Sequence, residues 1–346
     1  MCAATSAAGG IRSACGRSPS MWASARLRHP RRRRPQVSPA SADALMVSPW
    51  WRLVRGGNVL VGASTVAVGA LMVTTEISAT EWVIIGLHAF CVASFMAAWN
   101  AFNDVLDAES DAINHPERPI PCGELTEFQA KAIGRFCFLL SIVTLLIAMF
   151  VTSRWTDNLE GWLPSIGIWF IAFLLMFHYE MVVPESFSLK HKGLAGNLSV
   201  SLLVGIVIVF GAAAIGGVAT PLVWLVAAVA TLVNAAREII KDIEDEEGDE
   251  DRETLTKQIG PDSARAMAQI LVLLSLLPLV APYARGLLPM GLLITQLPSM
   301  LALVSVKPRL YRGEDLAAQR TLRLAMLLGL GGFLASVLLP LQYSSL

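Results

Sequence analysis

The chain has 346 residues, of which 54% are hydrophobic and only 16% charged, where a soluble domain usually carries roughly a quarter. That deficit argues against an ordinary water-soluble fold and for a lipid solvent. Lys plus Arg and Asp plus Glu both number 27, a formal net charge of zero that says nothing about partners because the charges are sorted by position; no nucleic-acid partner is expected. The five cysteines lack CxxC or other metal spacing.

From Met1 to Ala42 there is no acidic residue, while Arg12, Arg17, Arg26, Arg28 and Arg31 to Arg34 supply eight positive charges among Ser and Ala. This composition, without an apolar h-region, predicts an organelle transit segment over residues 1–45, plastid before mitochondrion. The alternative is a basic cytosolic tail. The membrane domain is expected over 46–346.

Apolar runs of about 20 residues, enough to cross roughly 30 Å of hydrocarbon, then recur along the chain. They predict an all-α bundle of nine transmembrane helices near 57–75, 82–102, 132–152, 163–183, 196–217, 221–240, 265–283, 286–306 and 322–340. The connections near 103–131, 184–195, 241–264 and 307–321 fall on one side with the N-terminal segment and form a polar cap. Seventeen of the Lys and Arg residues lie on or beside that side, against only Arg154 and Arg285 on the other. Such a bias supports an odd number of spans with the long loops facing the cytoplasm or its organellar equivalent.

The second span runs into Asn100, Asp104, Asp107 and Asp111, spaced i, i+4, i+7, i+11 along one helical stripe. The sixth ends in Asp242, Asp245 and Asp249, repeating the i, i+3, i+7 spacing. Clustered carboxylates repel one another, and at a span end they should persist only when a cation neutralises them. Hard oxygen donors of this kind suit Mg²⁺ shared with substrate phosphates. A single acidic run is as readily a solvated loop, but two copies at same-side span ends point to a metal-diphosphate site. Neither run has the alternating acids and glycine of a calcium loop. Arg118 in the Pro-rich turn after the first stripe, Lys190 and Lys192 in the 184–195 loop, and Arg237 and Lys241 beside the second stripe could bind the diphosphate. Asn58 and Asn234, polar amides inside apolar runs, are cavity-lining candidates or helix-helix hydrogen-bond partners, and Asn197 opens the fifth span.

These residues resemble a known pattern. Asn103-Asp104-x-x-Asp107-x-x-x-Asp111 followed by Asn114-x-Pro-x-Arg118-Pro-x-Pro-x-Gly is similar to the first signature of the UbiA superfamily of intramembrane prenyltransferases. Asp242-x-x-Asp245-x-x-x-Asp249 resembles the second, and Tyr179 with Leu189-Lys190 and Gly196-Asn197 the central segment. The resemblance implies Mg²⁺ held by Asn103, Asp104, Asp107, Asp111, Asp242, Asp245 and Asp249, with Asp104, Asp107, Asp242 and Asp245 catalytic. It also implies Arg118, Lys190 and Arg237 on the diphosphate; Lys241 joins them by its position beside the second stripe, and Asn58, Asn100, Tyr179, Asn197 and Asn234 are expected around the cavity. The expected reaction moves a polyprenyl group from its diphosphate to a lipophilic acceptor within the bilayer. The second motif's wording is nearest the geranylgeranylglyceryl phosphate geranylgeranyltransferases; aromatic acceptors are the alternative, and an ion-coupled transporter or a cyclising relative the reading from another class. Gly56, the extra Glu185-Ser-Phe-Ser188 and Thr256 depart from the family pattern and bear on the acceptor end.

Overall fold

The computed structural model describes residues 47–156, 159–181, 183–245 and 253–339. The predicted transit segment lies outside them, as does Asp249. Among the described residues there is no strand. Nine apolar segments cross between two ends: α1 Gly56–Leu71, α2 Ala79–Leu106, α3 Glu127–Trp155, α4 Leu159–Glu180, α5 Leu194–Ala213, α6 Pro221–Glu244, α7 Pro261–Ala284, α8 Met290–Tyr311 and α9 Asp315–Leu338. All but α1 are long and apolar enough to span a bilayer. The protein is a multi-pass membrane protein. Its outer surface agrees, since Phe136, Leu139, Phe150, Phe170, Leu277 and Ile294 all stand exposed on it.

Local chemistry fixes the helix ends. Ser78 with Glu81 and Thr126 with Gln129 form capping boxes that start α2 and α3. A proline opens α6 and α7, where its missing N–H costs nothing. Three boundaries differ from the sequence expectation. The predicted 307–321 loop is mostly helical, because α8 runs on to Tyr311 and α9 begins at Asp315. α8 is itself broken into a 3₁₀ stretch Met290–Gln296 and two short helices, Leu297–Val304 and Val306–Tyr311. The first acidic stripe is likewise not one helix: α2 stops at Leu106, Asp107 sits at the joint, and a separate helix covers Ala108–Asn114.

A broken helix in lipid must satisfy its freed backbone groups from neighbouring chain. Here Leu292 O accepts from Thr295 Oγ1 at 2.8 Å and from Ser336 Oγ of α9 at 3.5 Å, while Thr295, Gln296 and Ser299 side chains tie α8 to the Gly332, Gly329 and Ala325 carbonyls of α9. The Tyr283 and Ser336 hydroxyls, 2.8 Å apart, complete a buried polar seam joining α7, α8 and α9. Elsewhere small residues let helices touch. A Cβ on Gly69 would lie 2.1 Å from Ile208 O, and one on Gly211 2.0 Å from Val66 O, so α1 and α5 meet backbone to backbone. Gly211→Val should therefore cost about 3 kcal/mol through forced separation of the two helices. Gly86→Ala, whose Cβ would meet nothing, should leave the thermal unfolding midpoint in detergent unchanged or slightly raised. Equal midpoints for Gly211→Val and the parent would refute the tight crossing. Gly56 has its own reason: a Cβ there would strike the Trp51 ring at 2.3 Å.

Candidate active site

At the capped end of the bundle the first acidic stripe is met by cations of the protein itself. Arg55, held in the left-handed region at φ 52° just before α1, donates to Asn103 Oδ1 and Asp104 Oδ1, each at 2.7 Å. That backbone conformation is unfavourable for a residue with a Cβ, and here it aims a guanidinium across the gap to α2. Arg118 bonds Asp111 and reaches Asp104 at 3.5 Å, so the Pro-rich turn folds back onto both ends of the stripe. Asp104 is 2% exposed and Asp111 4%; neither would stay ionised there unpaired. Burial pushes the Asp111 carboxyl above its ordinary range, with Arg118 pulling the other way and Asp104 and Asp107 adding to the rise.

Lys190 closes the group. Its Nζ donates to Asp107 at 2.5 and 2.6 Å and to Glu180 Oε2 at 3.1 Å. Glu180, the last residue of α4, also accepts from Asn103 Nδ2 at 2.8 Å, while Asn103 donates to Asp107 Oδ2 at the same distance. The extra segment before Leu189 makes this possible. Ser186 and Phe187 fold back on His178, and the Phe187 and His178 rings stack 4.4 Å apart. Ser188 at φ 48° then turns the chain into a 3₁₀ turn, Leu189–His191, carrying Lys190 inward.

The second stripe faces the first. Asp242 Oδ2 accepts from Asn197 Nδ2 at 2.9 Å, and Asn234 and Ser201 extend that polar line one turn deeper. Asp245 approaches Lys241 at 3.4 Å and His115 at 3.7 Å, and its carbonyl accepts from Asn114 at 3.0 Å. The stripes are thus bridged directly by the turn after the first one. Arg237 pairs with Glu238.

A cavity of about 720 Å³ opens beneath them. Asn58, Asn100, Asn103, Asp107, Asp111, Arg118, Tyr179, Lys190, Asn197, Asn234, Arg237, Lys241, Asp242 and Asp245 all line it, together with apolar walls that include Phe95, Trp99, Trp169, Phe210 and Phe333. Asp104 lies behind this lining. Asn100 has an added structural task, donating to Val54 O at 2.8 Å at the end of the short Pro49–Leu53 helix. Lys192 is exposed and does not line the cavity.

Cations of the protein share in neutralising the first stripe, where Arg55, Arg118 and Lys190 pair with Asp104, Asp107 and Asp111. Among the described residues no three carboxylate, histidine or cysteine groups converge on one point. The donor set still suits a hard cation: Asp104 Oδ2 and Asp111 Oδ1 accept no hydrogen bond from the described residues, and all the candidate ligands are oxygens. Sequence reasoning missed Arg55, Glu180, Glu238 and His115. Arg55 reads as a cation at a span end, and Glu180 lies hidden beside Tyr179. Only a charge that terminates an apolar run marks either one.

Residues 62–339 match the UbiA prenyltransferase family. The digeranylgeranylglyceryl phosphate synthase of Methanopyrus kandleri is 33% identical over 292 residues, which span 83% of this chain and 98% of that protein. A solved structure of a digeranylgeranylglyceryl phosphate synthase is similar in fold, with a TM-score of 0.62 at 24% identity over 84% of this chain and 97% of that one. A UbiA homologue from Archaeoglobus fulgidus, solved bound to DMAPP and Mg²⁺, shares the fold at a TM-score of 0.50 and 13% identity over 84% and 99% of the two chains. The chain is a member of the UbiA prenyltransferase family.

Proposed function

We propose that this chain transfers a geranylgeranyl group from its diphosphate to the hydroxyl of geranylgeranylglyceryl phosphate, with Mg²⁺ as cofactor. The observation that carries the reading is the meeting of two aspartate stripes and five of the cavity's six Arg and Lys side chains over its apolar walls. The relatives' names supply the acceptor.

Asp104, Asp107, Asp111, Asp242 and Asp245, with the Asn103 amide, are the proposed metal ligands, joined by Asp249. Mg²⁺ held there would supply positive charge to stabilise the diphosphate as it departs. Arg118, Lys190, Arg237 and Lys241 then turn from carboxylates to the diphosphate, holding it in place and stabilising the charge that grows on it. The bonding pair leaves with the diphosphate. The acceptor oxygen bonds to C1, its proton passing to the departing diphosphate. Trp99, Phe95 and Trp169 wall the cavity below, excluding water from the allylic cation and presenting π faces to it. The prenyl tail lies along Val200, Val204, Val207 and Phe210 of α5.

The test is a screen of labelled geranylgeranyl diphosphate against geranylgeranylglyceryl phosphate, homogentisate, hydroxybenzoate, dihydroxynaphthoate and chlorophyllide. Transfer to the first, abolished by EDTA and restored by Mg²⁺, is expected. Transfer to an aromatic acceptor alone would overturn the acceptor assignment, and undiminished transfer in EDTA the cofactor. We further read residues 1–45 as an organelle-import segment, on their Arg-rich, acid-free composition alone.

A further inference from the structure

Below the ring of carboxylates the cavity has a second polar layer, one helical turn deeper on two facing walls. On α1, Asn58 follows Arg55 by three residues; on α9, Arg323 follows Gln319 by four. Arg55 and Gln319 belong to the upper ring, through Asp104 at 2.7 Å and Glu244 at 2.5 Å. At about 1.5 Å per residue, Asn58 and Arg323 lie roughly 5 Å further in. They meet there: an Arg323 Nη donates to Asn58 Oδ1 at 3.0 Å, across the seam between α1 and α9.

Arg323 differs from the other cations of the cavity. Arg55, Arg118, Lys190, Arg237 and Lys241 each have a carboxylate within 4 Å. Among the described residues Arg323 has none, and its recorded partner is a neutral amide. It is an exposed residue of the cavity lining, at the point where the polar start of α9, Gln319-Arg320-Thr321, gives way to the apolar run from Leu324 onward. Four of its five N–H donors remain for a ligand. The wall below it is apolar, with Val61 on α1 and Met326, Leu327 and Leu330 on α9. Leu60 and Leu324 beside it are exposed.

We infer that Arg323, oriented by Asn58, binds the phosphate monoester of the acceptor. The chemistry fits the spacing. In a phosphorylated glycerol lipid the reacting hydroxyl is a few bonds from the phosphate, and one helical turn separates Arg323 from the ring that holds the prenyl diphosphate. The guanidinium can take two phosphate oxygens at once while the lipid chain lies on the apolar wall. This inference rests on the acceptor class proposed above.

Steady-state kinetics of the full chain in lipid nanodiscs test it, with geranylgeranylglyceryl phosphate and with its phosphate-free alcohol as acceptors. Arg323→Gln should raise KM for the phosphorylated acceptor at least tenfold and keep KM for geranylgeranyl diphosphate within twofold. Arg323→Lys should recover part of the loss, and Asn58→Ala should shift the acceptor KM in the same direction by less. With the alcohol, the parent should itself show a raised KM that Arg323→Gln does not raise further. A mere tie between α1 and α9 would instead move both substrates' KM, or penalise both acceptors alike, and either result would overturn the inference. So would an unchanged acceptor KM in Arg323→Gln while the parent is active. A parent inactive on the phosphorylated acceptor would overturn the acceptor reading itself, and this inference with it.

Discussion

Asp107→Ala should lower transfer from geranylgeranyl diphosphate by about three orders of magnitude while leaving the protein folded. The size follows from losing a ligand to the ion that stabilises the leaving group, an effect worth several kcal/mol of transition-state charge. The intact fold follows from the surroundings. Asp107 is at a helix joint and its side chain is 23% exposed, so its removal leaves no closed cavity. Lys190 keeps Glu180 at 3.1 Å, and Asn103 keeps both Glu180 and Arg55, so neither is stranded. Asp104→Ala is the contrasting case. That carboxylate is 2% exposed and serves Arg55 and Arg118 together, so activity and stability should fall in parallel. Diphosphate release and thermal unfolding, measured on both variants in the same detergent, separate the two. Full activity of Asp107→Ala would remove Asp107 from the metal site.

What the sequence made legible was whatever repeats or persists. Apolar runs of about 20 residues locate the eight long spans and the shorter apolar α1, since few structures other than helices survive in hydrocarbon. The paired DxxDxxxD spacing locates the site because two copies at same-side span ends are hard to obtain from solvated loops. Features resting on one residue were not legible. Nothing marks Asp107 as the joint between two helices, and in the 286–306 run only Pro298, at the start of Leu297–Val304, marks where α8 is broken. Glu180 and Arg323 are single charges at or within apolar runs, and only their partners reveal what they do. The extra length before Leu189 looked like a loop insertion. It proved to be the means by which Lys190 is turned inward, through a Phe187–His178 stack and a left-handed Ser188 that no short pattern announces.

The charge pairing has a consequence for binding. A diphosphate arriving with its metal offers the carboxylates a cation and the Arg and Lys side chains an anion, so each internal pair can exchange partners without leaving a bare charge. The site is thereby kept soluble in its own electrostatics before substrate arrives, and the exchange costs less than desolvating separated ions would. Such an arrangement needs an anchor that does not exchange, or the cations would drift with the ligand. Glu180 fits that part. It lies at the end of α4, is 4% exposed, does not line up with either stripe, and holds Lys190 and Asn103 together.

Lys190→Met tests this division of roles, because the cation has two tasks that a second substitution can separate. Removing it leaves Asp107 and Glu180 facing one another through Asn103, with Glu180 almost fully enclosed. An uncompensated carboxylate in such a place should cost about 3 kcal/mol of stability. Adding Glu180→Gln removes the stranded charge, and the new amide can still accept from Asn103 and donate to Asp107. The double variant should therefore regain most of the lost unfolding temperature. Transfer should not return with it: without the ammonium on the departing diphosphate, both variants should run at least about 100-fold below the parent. If the double variant recovered activity along with stability, Lys190 would be a structural counter-ion and Arg118, Arg237 and Lys241 would carry the leaving group alone. If neither property changed in the single variant, the Lys190 contacts with Asp107 and Glu180 would have no part in holding the site together.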